Sequence, residues 1–226
     1  MKAIGTILIV SLCLGCAATR GGRDVTKAKA GFLDDYSVLE ENPGPGAQLR
    51  YLRKGVDWKR YDKMLVDPVQ FWRGADVKAG LDEAEKQALA NYFHSTIYEG
   101  MSRDYEMVSI PQPDTMRVSI VFTRLGDRNV TLDTVSTYLP QMRLLSEVKT
   151  VFTGKPSFVG EAAFESKFTD AHTGELLGAA IDDRVGGRRI KNFDDWADVK
   201  HAIDYWVESL VYKTCTLREG TDCRAP

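Results

Sequence analysis

The first residues in this sequence whose spacing could do chemistry are arginines set around a glycine pair. Arg184-Val185-Gly186-Gly187-Arg188-Arg189 joins backbone freed by glycine to the guanidinium groups of Arg184, Arg188 and Arg189, an arrangement that can hold a phosphate or carboxylate. The same residues can form a plain turn with solvated arginines, because Asp182, Asp183, Asp194 and Asp195 are close enough in sequence to neutralise them. Asp67, Asp133 and Asp183 could do acid–base work if folding brings them into one pocket. The hydroxyls between Leu132 and Pro140 could line a groove, or serve strand propensity and local hydrogen bonds.

Other reactive groups are sparse. His94, His172 and His201 have no metal-binding spacing such as H-E-x-x-H. There is no G-x-S-x-G elbow. Gly154-Lys155 lacks the upstream glycine and the following Ser or Thr of a phosphate loop. No catalytic residue, cofactor or metal is therefore assigned, and the reading leans away from an enzyme.

The cysteines point to a compartment. Cys215 and Cys223 form an even pair that an oxidising environment would bridge. A metal site shared with His201 is the alternative, although the spacing does not match a zinc motif. Cys13 and Cys16 lie at the other end, after a leader that starts Met1-Lys2 and runs apolar from Ala3 to Leu14. That run has the shape of a secretory signal and is too short to span a bilayer, which takes about 20 apolar residues. Leu12-Cys13-Leu14-Gly15-Cys16 resembles a bacterial lipobox, with Cys13 where leucine is usual; an ordinary cleaved signal is the other reading. Residues 1–15 are thus expected to be removed and Cys16 to carry lipid. Residues 16–30 are read as a flexible tether, and 31–226 as one periplasmic domain. Ala17, in place of Asp after the lipidated cysteine, directs a Gram-negative lipoprotein to the outer membrane.

Composition agrees with a soluble domain on such an anchor. The 226 residues are 43% apolar and carry a formal net charge of −2, which leaves no basic excess for nucleic acid. The expected partners are the membrane, through Cys16, and an envelope protein.

The elements that must position these residues follow from periodicity. Gly31 to Tyr51 holds the breaker cluster Asn42-Pro43-Gly44-Pro45-Gly46 and reads as an extended lead-in. Lys63 to Val69 is a strand. Asp82 and Glu85 make a capping box for a helix that Gly100 ends. Short strand 106–110 precedes the alternating strand Thr115 to Arg124, in which Met116, Val118, Ile120 and Phe122 share a face. Asp127 to Tyr138 leans to strand, and Gln141 to Phe152 to helix. Phe158 to Thr169 and Glu175 to Arg184 form a hairpin, with Leu177, Ala179 and Ile181 inward. A helix from about Phe193 to Lys213, capped by Asn192 with Asp195, carries the stripe Trp196, Val199, Ile203, Trp206, Leu210 and Val211 and places Cys215 just past its end. The predicted fold is α+β: a two-layer sandwich of a mostly antiparallel sheet, about four to six strands, with two or three helices on one face.

Taken in order, Gly31-Phe32-Leu33 with Tyr36, Leu65 to Trp72, Leu132 to Pro140, Phe158-Val159-Gly160, Thr169 to Leu176, Arg184 to Gly187, and Trp196 with Tyr205-Trp206 resemble a bacterial lipoprotein family, domain of unknown function 3313. The resemblance spans nearly the whole chain after the leader. It implies a lipoprotein of proteobacterial type with no established activity. The expected function is an outer-membrane-anchored accessory or binding module. The alternatives are an envelope-acting enzyme built on carboxylates and a small-anion binder.

Overall fold

The computed structural model describes residues 19–21, 25, 29–77, 81–128, 159–186 and 196–226. Cys16, Asp133, Arg188, Arg189, the helix expected at 141–152, the segment 132–140 and the cap of Asn192 with Asp195 lie outside the described residues. The strands are β1 (Thr19–Gly21), β2 (Glu40–Glu41), β3 (Leu49–Leu52), β4 (Lys63–Val66), β5 (Gln70–Val77), β6 (Glu106–Met107), β7 (Thr115–Arg128), β8 (Val159–Asp170) and β9 (Leu176–Gly186). Among the described residues two α-helices accompany them, α1 (Glu83–Met101) and α2 (Ala197–Leu217), with a short 3-10 turn at Trp58–Arg60. The fold is α+β around one mixed sheet of nine strands in the order β2-β3-β9-β8-β7-β4-β6, with β1 also on β9 and β5 also on β7.

The sheet is larger than expected and not purely antiparallel. β4 and β5 both run parallel to β7. The reason is the helix between them. A crossover helix carries the chain back to the starting edge, so the next strand runs parallel, whereas a tight turn reverses direction. α1 is that crossover, and its capping box forms as expected: Asp82 Oδ1 accepts from the Glu85 N–H at 2.7 Å, and Glu85 Oε2 from the Asp82 N–H at 3.1 Å. The hairpin β8–β9 is antiparallel, again as expected. Its turn is organised by Asp170, whose Oδ1 accepts the N–H groups of His172 and Thr173, both at 2.9 Å.

The breaker cluster at 42–46 is the connection between two paired strands, β2 and β3, so the stretch before Tyr51 is more ordered than an extended lead-in. The strand expected over Lys63 to Val69 stops at Val66, two residues before Pro68, and a second strand, β5, starts at Gln70. Within the stretch read as a tether, β1 pairs with β9 and Val25 is buried. α2 runs past Cys215, so that cysteine sits in the last turn of the helix and not beyond it.

Both helices lie on one face. The core there joins Met64, Met116, Val118, Phe122 and Phe164 of the sheet to Phe93, Ile97, Ile203 and Trp206 of the helices. Rings pack edge to face or tilted, with Phe164 and Trp206 centroids 4.7 Å apart and Phe93 and Trp206 5.6 Å apart. The opposite face carries a second cluster: Leu33 and Val25 with Leu49, Ala179 and Ile181. Leu177 faces the helices while Ala179 and Ile181 face away, because the β8–β9 pairing shifts register between Phe168 and Thr169. The glutamates that alternate outward on β8 are therefore not solvated. Glu165 is wholly buried and accepts from the Tyr36 hydroxyl at 2.6 Å and the Ala30 N–H at 2.7 Å.

Candidate functional site: an apolar cavity under α2

A cavity of ≈ 110 Å³ lies between the sheet and α2. Its floor is one row of cross-strand neighbours: Arg50 on β3 opposite Ala180 on β9, Ala180 opposite Ser166 on β8, and Ser166 opposite Ile120 on β7. The two middle positions are small, and that is why space remains above them. A larger side chain at either would fill it. Phe93 and Ile97 close the deep end, Trp206, Val207 and Leu210 form the helix wall, and the β2–β3 connection from Asn42 to Ala47 closes the side.

One buried carboxylate fixes these walls. Asp182 accepts from the Trp206 indole N–H at 2.7 Å, from Arg184 Nε at 2.6 Å and from the Gln48 N–H at 3.0 Å. Burial pushes its pKa up, and the adjacent Arg184 charge opposes that rise. Arg184 Nη2 in turn donates to the Gly46 carbonyl at 2.8 Å, and its guanidinium lies over the Tyr205 ring. The Gly46 N–H donates to the Tyr205 hydroxyl at 2.9 Å. Gly46 has φ +106°, a left-handed conformation that suits glycine. The indole and the connection are thus held from three directions, so the cavity is formed in advance of any ligand.

Its polar content is small and positive. The Ser209 hydroxyl is buried and has no hydrogen-bond partner among the described residues. Arg50 and Lys213 are half-buried lining residues, and neither makes an ion pair among the described residues, although the exposed Glu40 is the cross-strand neighbour of Arg50. Burial first, and then the nearby Arg50 charge, lower the Lys213 pKa. Among the described residues, the lining contains no carboxylate, histidine or thiol.

The residues singled out by sequence sit as follows. Arg184 is engaged by Asp182 and Gly46, so an anion site there would rest on Arg188 and Arg189, outside the described residues. Asp67 takes Arg117 at 2.9 Å and the Ser119 hydroxyl at 2.5 Å; Asp183 takes a different arginine, Arg124. Neither aspartate lines the cavity. His172 is exposed, and His94 and His201 are half-buried on α1 and α2. Among the described residues no group of His, Cys, Asp and Glu could hold a metal. Cys215 and Cys223 stand at disulfide distance, 1.99 Å between sulfurs. Sequence reasoning missed the cavity. The signal that could have found it was the small residues Ser166 and Ala180 on the inward face of two otherwise bulky strands.

Several segments that carry the family resemblance meet in space. Trp72 donates its indole N–H to the Ala30 carbonyl at 2.9 Å, and Phe32 packs edge-on against Trp72. The Gly31 N–H donates to the Tyr36 hydroxyl at 2.7 Å, which itself donates to Glu165. These residues strap the chain before β2 onto the sheet face away from the helices. Tyr205, Trp206 and Arg184 hold the cavity.

The family model described as "Protein of unknown function (DUF3313)" matches residues 28–210. No curated protein matches. Among solved structures, the chain is similar to the PelC dodecamer from Paraburkholderia phytofirmans, at 11% identity over 76% of this chain and 98% of that one, with a TM-score of 0.38. It is also similar to protein XCC0632 from Xanthomonas campestris, at 9% identity over 80% and 92% of the two chains, with a TM-score of 0.43.

Proposed function

We propose that this chain, which belongs to the family of proteins of unknown function DUF3313, is a binding module of the bacterial envelope that takes an apolar ligand in the cavity under α2. In this reading Cys16 carries the lipid anchor, and the domain faces the periplasm from the outer membrane. The observation that carries the binding role is the cavity itself: preformed and lined mostly by aromatic and aliphatic side chains, with no carboxylate, histidine or thiol among the described lining residues. Its volume approaches the ~150 Å³ of an apolar cavity that admits benzene, so it suits a single ring or the end of an acyl chain. The Cys215–Cys223 pair fits an oxidising compartment.

Two measurements test this. Isothermal titration with the single-ring ligand toluene is expected to give saturable one-site binding, lost in Ala180→Leu while the thermal midpoint is kept or raised by the filled space. Binding that survives the filling variant would remove the cavity from the account. Metabolic labelling with a palmitate analogue is expected to mark the wild type and not Cys16→Ser. Labelling that persists would remove the anchor.

A further inference from the structure

Among the described residues neither Arg50 nor Lys213 makes an ion pair, although the exposed Glu40 stands opposite Arg50 across β2–β3, and two half-buried cations left so at one end of an apolar cavity are unusual, because such charges are normally paired. Arg50 closes the floor row from β3, and Lys213 faces the same space from α2 one turn beyond Leu210. The opposite end, at Phe93 and Ile97, is fully buried and apolar. The cavity therefore has a polarity: a dry end at Phe93 and Ile97 and two positive charges away from it, with the Ser209 hydroxyl in the lining and without a partner among the described residues. Lys213 also holds its proton less firmly than a free lysine, owing to burial and then to Arg50, and an anion placed between the two would relieve that repulsion.

Resting on the binding role argued above, we infer that the ligand is a single-chain amphiphile with an anionic head, its apolar end against Phe93 and Ile97 and its head between Arg50 and Lys213. Guanidinium and ammonium together suit a carboxylate or a phosphate. Neither cation takes part in the buried Asp182 network that holds the walls, so both can be changed without opening the fold.

Isothermal titration of the full chain with decanoate, decyl phosphate and decanol separates the possibilities. At least one anion is expected to bind ten-fold or more tighter than decanol. Lys213→Gln and Arg50→Gln should each weaken that anion several-fold more than they weaken decanol, with near-UV circular dichroism confirming the fold. Decanoate and decyl phosphate distinguish the two head chemistries. Equal affinity for anions and decanol, or an anion preference untouched by both variants, overturns the charge inference and leaves the apolar cavity standing. No binding by any of the three overturns both.

Discussion

Buried carboxylates decide much of this molecule at the residue scale, and they do so in different ways. Asp170 is only 4% exposed. Burial alone would raise its pKa, but the Thr173 N–H, the Tyr61 hydroxyl and the His172 N–H outweigh that and hold it below the usual 3.8. A carboxylate with a lowered folded-state pKa adds stability that is fully present above its unfolded value and fades as pH falls through the folded one. The stability gap between wild type and Asp170→Asn should therefore be constant above about pH 5 and shrink below 3.8, as read by denaturant unfolding across that range. A constant gap to pH 2 would contradict this. Glu165 works through its partners. Tyr36→Phe removes one hydroxyl from a wholly buried carboxylate and should cost about 1–3 kcal/mol, whereas Glu165→Gln should cost at least as much. A double-mutant cycle that found the two losses additive would show that they do not act as a pair.

Close approach between elements accounts for one glycine that periodicity alone misreads. Gly100 reads as a helix stop, yet α1 continues to Met101. A Cβ there would come 2.9 Å from Val207 Cγ1 and 3.1 Å from Val211 Cγ2, so the glycine lets α1 and α2 touch. Gly100→Ala gains up to ~1 kcal/mol of helix propensity and loses ~1–3 kcal/mol to overpacking, a net loss of about 1 kcal/mol in denaturant unfolding. What could be read from the sequence follows the same division. The capping box at Asp82, the alternation of β7 and the hairpin at Asp170 to Gly174 are set by contacts within a few residues, and sequence carries them. The parallel pairing of β4 and β5 with β7, the burial of Glu165 and the hollow over Ser166 and Ala180 depend on distant segments meeting. A pattern of alternating polar residues cannot say that the chain from 29 to 39 will return to cover them. Arg184 illustrates this at the site: its glycine-rich neighbourhood suggests an anion, but Asp182, two residues away, takes its guanidinium.

On the whole-molecule scale, the described residues are held to the fold near both of their limits, by β1 on β9 and by the Cys215–Cys223 pair. β1 begins at Thr19, three residues after Cys16, and pairs with β9. At the other end the Cys215–Cys223 pair closes a loop with a sequence separation of 8. Replacing both cysteines by serine should lower stability by about 2 kcal/mol, seen as a fall in thermal midpoint that reductant reproduces in the wild type. No helix among the described residues is long and apolar enough to cross a membrane. The sheet, its two apolar faces and the Asp182 network then leave one hollow under α2, and the account stands on whether that hollow takes a ligand. Methyl-resolved NMR during a decanol titration reads this directly. Saturable shifts confined to the methyl-bearing lining residues, Ile97, Ile120, Val207 and Leu210 among them, are the expected result. Shifts scattered over the surface, or none at those four methyl-bearing residues, would contradict it.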